Sequence, residues 1–114
     1  MEVWVTGLGF ITSIGCNKAD VTDSLINLKH GITSPAMLQV AESPVKVAGT
    51  IDEFNLDSND PEDWQFPSIY KIPRSRLRSF SPHVLYAWCC LQQAIEEAKL
   101  DHSDLHDPDA GIYT

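Results

Sequence analysis

The chain has 114 residues, 43% of them hydrophobic, and carries 8 Lys+Arg against 16 Asp+Glu for a formal charge of −8. One domain of this size buries roughly two-thirds of the surface its unfolded chain exposes, and the acidic balance excludes nucleic acid and anionic membrane as default partners. The opening MEVWV lacks the basic region and apolar run of a signal peptide, no stretch reaches membrane-spanning length, and Cys16, Cys89 and Cys90 form no CxxC, so the expected compartment is a reducing cytoplasm.

VWVTGLGFITSIG, residues 3–15, reads as a buried strand over Val3–Thr6 that breaks into glycines. A dinucleotide fingerprint needs G-x-G-x-x-G, and after Gly7 and Gly9 the third position is Thr12. A P-loop needs G-x-x-x-x-G-K-[ST]; the interval from Gly9 to Gly15 is one residue too long, and Cys16-Asn17 stands where Lys-Ser/Thr belongs. The glycines are therefore read as structural, permitting close backbone approach or positive φ. Asn17 is a good N-cap with Asp20 in the first turn, and Val21, Leu25 and Leu28 form one stripe, predicting an amphipathic helix over 17–30 closed by Gly31. A loop over 32–43 follows. In PVKVAGTI, Val45, Val47, Gly49 and Ile51 alternate with Lys46, Ala48 and Thr50, predicting a strand with one buried face.

From Asp52 to about Ser79 the period is lost. Trp64, Phe66, Ile69 and Tyr70 lie between prolines 61, 67 and 73, which predicts short helical turns pinned by the aromatics. YKIPRSRLR then reverses the charge: Lys71, Arg74, Arg76 and Arg78 are half of the chain's 8 basic residues. Ser81-Pro82 opens a helix to about Leu100, with Val84, Trp88, Leu91, Ile95 and Ala98 as a stripe. Its stretch Val84–Leu91 carries no charge, so burial on every side is expected there. DHSDLHDPD is a polar connection and AGIYT a strand. Three short strands and one other helix cannot enclose a helix buried on every side. The expectation is part of a larger fold, or an obligate partner.

Several candidate sites have plain readings. Adjacent Cys89 and Cys90 diverge by about 100° on a helix and read as buried structural thiols. Cys16, at a helix start, is placed where a dipole lowers a thiol pKa, but no base is identifiable beside it. His102-x-x-x-His106 among aspartates reads as solvated loop rather than metal site, His30 as a cation at a helix C-terminus, and His83 as packing or surface. No metal site is assigned. The cations 71–78 read either as a solvated face or as a docking patch for an acidic partner.

Taken in order, these segments resemble the N-terminal part of a β-ketoacyl-acyl carrier protein synthase. The resemblance rests on VWVTGLGFITSIG, the capped helix NKADVTDSLINLKHGI, VAGTIDEF, and RSRLRSFSPHVLYAWCCLQQAIEEAKL running to AGIYT. It implies an α/β fold: the N-terminal portion of a thiolase-like layered α/β/α arrangement, with a mixed sheet and a central buried helix. Residues 1–114 would be the N-terminal part of a ketosynthase domain, incomplete by themselves. Gly7, Gly9, Gly15 and Gly49 are then structural glycines. The resemblance implies decarboxylative condensation of an acyl-enzyme with a malonyl-carrier thioester, in fatty-acid or polyketide synthesis. The family's nucleophilic cysteine, two histidines and lysine lie beyond these residues, so no catalytic residue and no condensing activity is expected here. No cofactor is implied, since phosphopantetheine arrives on the carrier protein. The implied partners are acyl carrier protein, docking near Lys71, Arg74, Arg76 and Arg78, and a homodimeric or ketosynthase-like heterodimeric mate. A non-catalytic partner of the chain-length-factor type is the alternative, and a free-standing acidic binding module a third reading. The sequence departs from the family where Lys99 replaces the glycine of a usual Ala-Gly-Leu helix end, and where Trp88, Cys89 and Cys90 replace small residues.

Overall fold

A computed structural model describes residues 1–113. In chain order it contains α1 (Lys18–Ile26), β1 (Ile32–Thr33), β2 (Ala48–Gly49), α2 (Arg74–Leu77), α3 (Pro82–Ala98) and α4 (His102–Leu105), with 3₁₀ turns at Ala36–Leu38 and Pro61–Asp63. The long helix α3 is the spine. Ser81 caps it, its Oγ accepting from Val84 N at 3.4 Å, and Pro82 occupies the first turn, where a missing N–H costs nothing.

The core forms on one side of α3. Leu85 and Cys89, one turn apart, are fully buried, and Cys16, Phe54, Tyr70 and Leu77 close over them. Phe54 meets Tyr86 edge to face at 5.3 Å. The irregular stretch 52–79 contributes most of this cover. It is held by backbone bonds between Asn55 and Gln65 and by Trp64 Nε1 donating to Ser58 O at 2.9 Å.

Several expectations are corrected here. α3 is not buried on every side: Val84 is 44% exposed and Leu91 39%, and the predicted stripe is the wetter face. An uncharged stretch tells that a helix is apolar all round, but not which face its neighbours reach. The helix predicted over 17–30 stops at Ile26. Leu28 takes φ 54°, Leu28 N donates to Leu25 O and Lys29 N to Ser24 O, a Schellman closure made before Gly31 is reached. Leu25 and Leu28 consequently face solvent. No mixed sheet is present among the described residues. The sheet is one antiparallel ladder pairing Ile32 with Gly49 and Thr33 with Ala48. Its first strand falls within the predicted loop, and its second is only the middle of the strand predicted from Val45 to Ile51. Upstream, Gln39 Nε2 donates to Lys46 O at 2.8 Å and Lys46 Nζ to Val40 O at 2.6 Å, so side chains take the carbonyls a ladder would use.

Val3–Thr6 is not a strand, and Val3, Trp4 and Val5 stand at 77–83% exposure. A strand exists only with a partner, and none of the described residues pairs with this segment. Residues 110–113 likewise carry no strand, and the Thr114 end of the expected strand lies outside the described residues. The accessible surface is 8895 Å², against roughly 6,200 Å² for a compact monomer of this mass. The radius of gyration is 17.0 Å, against about 13 Å for a compact chain of this length.

α3 ends where Lys99 adopts φ 57°, with Lys99 N donating to Glu96 O and Leu100 N to Ile95 O. A β-carbon is disfavoured in this conformation by roughly 1 kcal/mol, and glycine carries no such penalty. Lys99→Gly is therefore expected to stabilise the chain by about 0.5–1 kcal/mol, read as a rise in the urea midpoint at unchanged slope.

Candidate functional site

Two features dominate the molecule's surface chemistry: the glycine segment clamped to α3, and the basic turn beside the start of that helix. In the first, residues 7–9 run against α3 with their backbone in direct contact. A β-carbon on Gly7 would overlap the Ala94 carbonyl, and one on Gly9 would overlap the Cys90 carbonyl and come within 2.8 Å of Cys90 Cα. Ala94 and Cys90 are one helical turn apart, so the two glycines follow the groove of α3. Gly15 has φ 158° and faces Asp20, while Gly49 is roomier, its nearest neighbour being Ser13 Oγ at 3.0 Å. Side chains of α3 satisfy the backbone between the glycines. Leu8 N donates to Glu97 Oε2 at 2.7 Å, Phe10 N donates to Gln93 Oε1 at 3.1 Å, and Gln93 Nε2 lies 3.2 Å from Phe10 O. The same Nε2 is 2.9 Å from Cys16 O and 2.5 Å from the Tyr70 hydroxyl. Gln93 thus ties the segment to α3 and to the 52–79 cover. The segment lies against helix carbonyls and carboxylates, surroundings that repel a phosphate.

The basic stretch is built around Leu77. Pro73 starts α2, Leu77 is 5% exposed and anchors it, and its cations are left outside. Arg74 and Arg78, four apart, share a face and turn toward Glu62 on the 3₁₀ turn Pro61–Asp63. Arg78 Nε donates to Glu62 Oε1 at 2.5 Å, and Arg74 Nη1 is 4.0 Å from Oε2. Pairing with Glu62 raises the Arg78 pKa. Arg76 leaves the other side of the turn, its guanidinium 5.6 Å from the Trp88 ring centre, and Phe80 packs on the same ring at 5.9 Å. Lys71 is exposed, and among the described residues no carboxylate lies within ion-pair distance of it. Glu62 and Gln93 are residues that sequence reasoning passed over, and Trp88 reads in the sequence only as part of the α3 stripe and as a departure from the family. A glutamate following proline in an acidic run carried no signal of its own.

Burial raises the pKa of all three cysteines. Burial and the neighbouring Glu53 push Cys16 up to about 11, which corrects the expectation that a helix start would lower it. The helix begins at Lys18 under Asn17, and the thiol is turned into the core. Cys89 is pushed up to about 12 by burial, and Cys90 is raised by the same cause. His30 is not at a helix end, since α1 stops four residues before it; its Nδ1 accepts from Ile32 N at 3.3 Å. His83 is exposed in the first turn of α3. His102 and His106 stack at 3.9 Å on α4 and its cap, with His106 Nδ1 on the His102 carbonyl at 2.9 Å. Among the described residues no group of three or more His, Cys, Asp or Glu side chains is arranged to hold a metal, and no helix is long and apolar enough to cross a membrane.

Comparison with known proteins identifies the family. The family described as beta-ketoacyl synthase, N-terminal domain, matches residues 1–114. Among curated proteins, 3-oxoacyl-acyl-carrier-protein synthase 1 of Buchnera aphidicola is 34% identical over 99 residues, 87% of this chain and 21% of that protein. Actinorhodin polyketide putative beta-ketoacyl synthase 2 of Streptomyces coelicolor is 26% identical over 114 residues, all of this chain and 25% of the relative. 3-oxoacyl-acyl-carrier-protein synthase 2 of Synechocystis is 27% identical over 111 residues, 97% of this chain and 24% of the relative. The chain therefore spans about a quarter or less of the length of these relatives. No solved structure matches.

Two outcomes test this geometry. Gly9→Ala places a methyl against helix backbone that cannot move aside, and is expected to cost at least about 2 kcal/mol in urea unfolding, while Gly49→Ala, facing a rotatable serine, costs much less. The raised thiols make the folded state the tighter proton binder, so their contribution is fully present below the unfolded thiol pKa and is lost as pH rises through the folded values. The urea midpoint should therefore fall between pH 9 and about 11, the value for Cys16. A midpoint that is flat over that window contradicts the burial assigned to Cys16 and Cys89.

Proposed function

The chain belongs to the β-ketoacyl synthase family, and from that premise we propose that it serves a β-ketoacyl-acyl carrier protein synthase as the part that docks the carrier protein. In this reading the thiolase-like layered α/β/α arrangement is the setting in which α3 and the glycine segment work. The reaction served is decarboxylative condensation between an acyl group held as an enzyme thioester and a malonyl group carried on phosphopantetheine. Two curated relatives are named as 3-oxoacyl-acyl-carrier-protein synthases and a third as a polyketide beta-ketoacyl synthase, which supports the reaction class.

None of the chain's own thiols is assigned the nucleophile's role. A cysteine nucleophile needs a thiolate near neutral pH, and burial holds Cys16, Cys89 and Cys90 protonated there. The proposed contribution of these residues is binding, and one observation carries it. In a chain of charge −8, Arg74, Arg76 and Arg78 lie on α2 and its C-cap with Lys71 three residues before, all exposed and just ahead of the start of α3. Opposite charge at such a surface steers encounter and fixes orientation, and an acidic carrier protein is the partner whose chemistry it fits. A non-catalytic synthase-like partner would use the same surface for the same purpose.

Reversing Arg74, Arg76 and Arg78 to Glu is expected to weaken binding of acyl carrier protein by about tenfold or more at low salt, and to flatten the dependence of affinity on ionic strength. Unchanged affinity in a fluorescence-anisotropy titration would remove the docking assignment.

A further inference from the structure

The basic turn carries its own acid. Glu62 sits on a 3₁₀ turn whose geometry is fixed by Pro61 and by the Asp60 carboxylate, which accepts the Glu62 N–H at 2.9 Å. Both oxygens of the Glu62 carboxylate face the patch, one on Arg78 at 2.5 Å and the other 4.0 Å from Arg74. The carboxylate side chain is only 25% exposed, whereas its two partners are 82% and 73% exposed. The acid is held and the cations are loose. Arg76 is differently placed. Its guanidinium lies 5.6 Å from the Trp88 ring centre, at cation–π distance, and it has no ion pair among the described residues, so its N–H groups are available for a carboxylate.

Resting on the docking reading above, we infer that Glu62 is an internal competitor for the acidic partner. In the free chain it occupies Arg74 and Arg78, while Lys71 and Arg76, which have no ion-pair partner among the described residues, make the first contact. Docking then exchanges the Glu62 carboxylate for surface carboxylates of the carrier protein. The four cations thus divide into an encounter pair and a guarded pair. The guard sets a threshold: a partner with a single acid gains little at Arg74 and Arg78, whereas one presenting several acids together can displace Glu62.

The test uses the full chain and the apo form of an acyl carrier protein, which lacks the phosphopantetheine phosphate and so leaves carboxylates as the partner's anions. Affinity is measured at low and high salt for the wild type, Glu62→Gln, Asp63→Asn and Arg76→Gln. Asp63 is the control. Its carboxylate accepts from Ser58 Oγ at 3.2 Å and forms no ion pair among the described residues, so Asp63→Asn changes net charge equally without releasing an arginine. Glu62→Gln is expected to bind about two- to fivefold tighter than wild type at low salt, more than Asp63→Asn does, with the gain vanishing at high salt. Arg76→Gln is expected to weaken binding. Carrier binding that is unaffected or weakened by Glu62→Gln, or raised no more than by Asp63→Asn, overturns the inference and leaves the docking reading intact. If the carrier binds none of these proteins, the docking reading falls and takes the inference with it. A holo-carrier that binds where the apo form does not assigns the recognition to the phosphate and also overturns the exchange of carboxylates.

Discussion

Nothing wider than a hydrogen fits between residues 7–9 and the carbonyls of Ala94 and Cys90, and the rest of the structure is arranged around that contact. Two glycines with one residue between them let the backbone follow a helical groove whose own spacing is one turn. The approach leaves amides facing a helix that has no spare backbone donors or acceptors for them, so its side chains supply both. Glu97 takes the Leu8 N–H, and the Gln93 amide meets Phe10 on both sides, as a neighbouring strand would. Because Gln93 also reaches Cys16 O and Tyr70, one side chain joins the N-terminal segment, the entry to α1 and the irregular cover of the core. An apolar replacement of similar volume would leave several half-buried polar groups unpaired together, which is the expensive way to lose a hydrogen bond.

The same helix organises the charged surface from its other end. α2 is a single turn, too short to be stable alone, and it holds because Leu77 drops into the core beside Leu85 and Cys89. With Leu77 pointing inward, helical geometry dictates the rest: Arg74 and Arg78 fall together on one flank and Arg76 on the other. A run of three arginines that reads as one patch in the sequence is therefore divided in space, Arg74 and Arg78 beside an acid and Arg76 beside an aromatic ring.

Features decided within a few residues were legible in the sequence, and features decided between distant segments were not. Asn17, Ser81 and Pro82 cap their helices from local chemistry alone, and both helix starts could be read. Ends were harder. α1 closes at Leu28 in a left-handed conformation that leucine disfavours, which no propensity argument selects over Gly31. The glycines were readable as sites of close approach, but not what they approach, since Ala94 and Cys90 lie more than eighty residues away. Strand prediction failed for the same reason. The apolar character of Val3–Thr6 and the alternation from Val45 to Ile51 express a capacity to pair, and pairing belongs to two segments at once. On α3, Val84, Leu91 and Ile95 make as good a stripe as Leu85 and Cys89, and only the position of Phe54, Tyr70 and Leu77 decides which one is dry. The docking candidates were legible as a charge anomaly. Their partition by Glu62 was not, because an acid within an acidic run becomes informative only once the turn places it.

The exposed stripe of α3 connects these two parts of the molecule. It borders a groove of about 950 Å³ between the N-terminal segment at Trp4–Gly7 and residues 110–112, walled by Trp88, Leu91, Ile95 and Leu105. The surface in excess of a compact monomer, roughly 2,700 Å², is about three times what one partner contributes to an interface of standard size. Trp88 is the shared element. One part of the indole walls the groove while Arg76 and Phe80 rest on the ring, and its Nε1–H is buried with no acceptor among the described residues. A buried indole N–H without an acceptor costs stability. The Arg76 guanidinium lies 5.6 Å from the centre of the same ring. The apolar face and the basic turn thus meet at a single side chain, Trp88, which lines the groove on one side and lies beside Arg76 on the other.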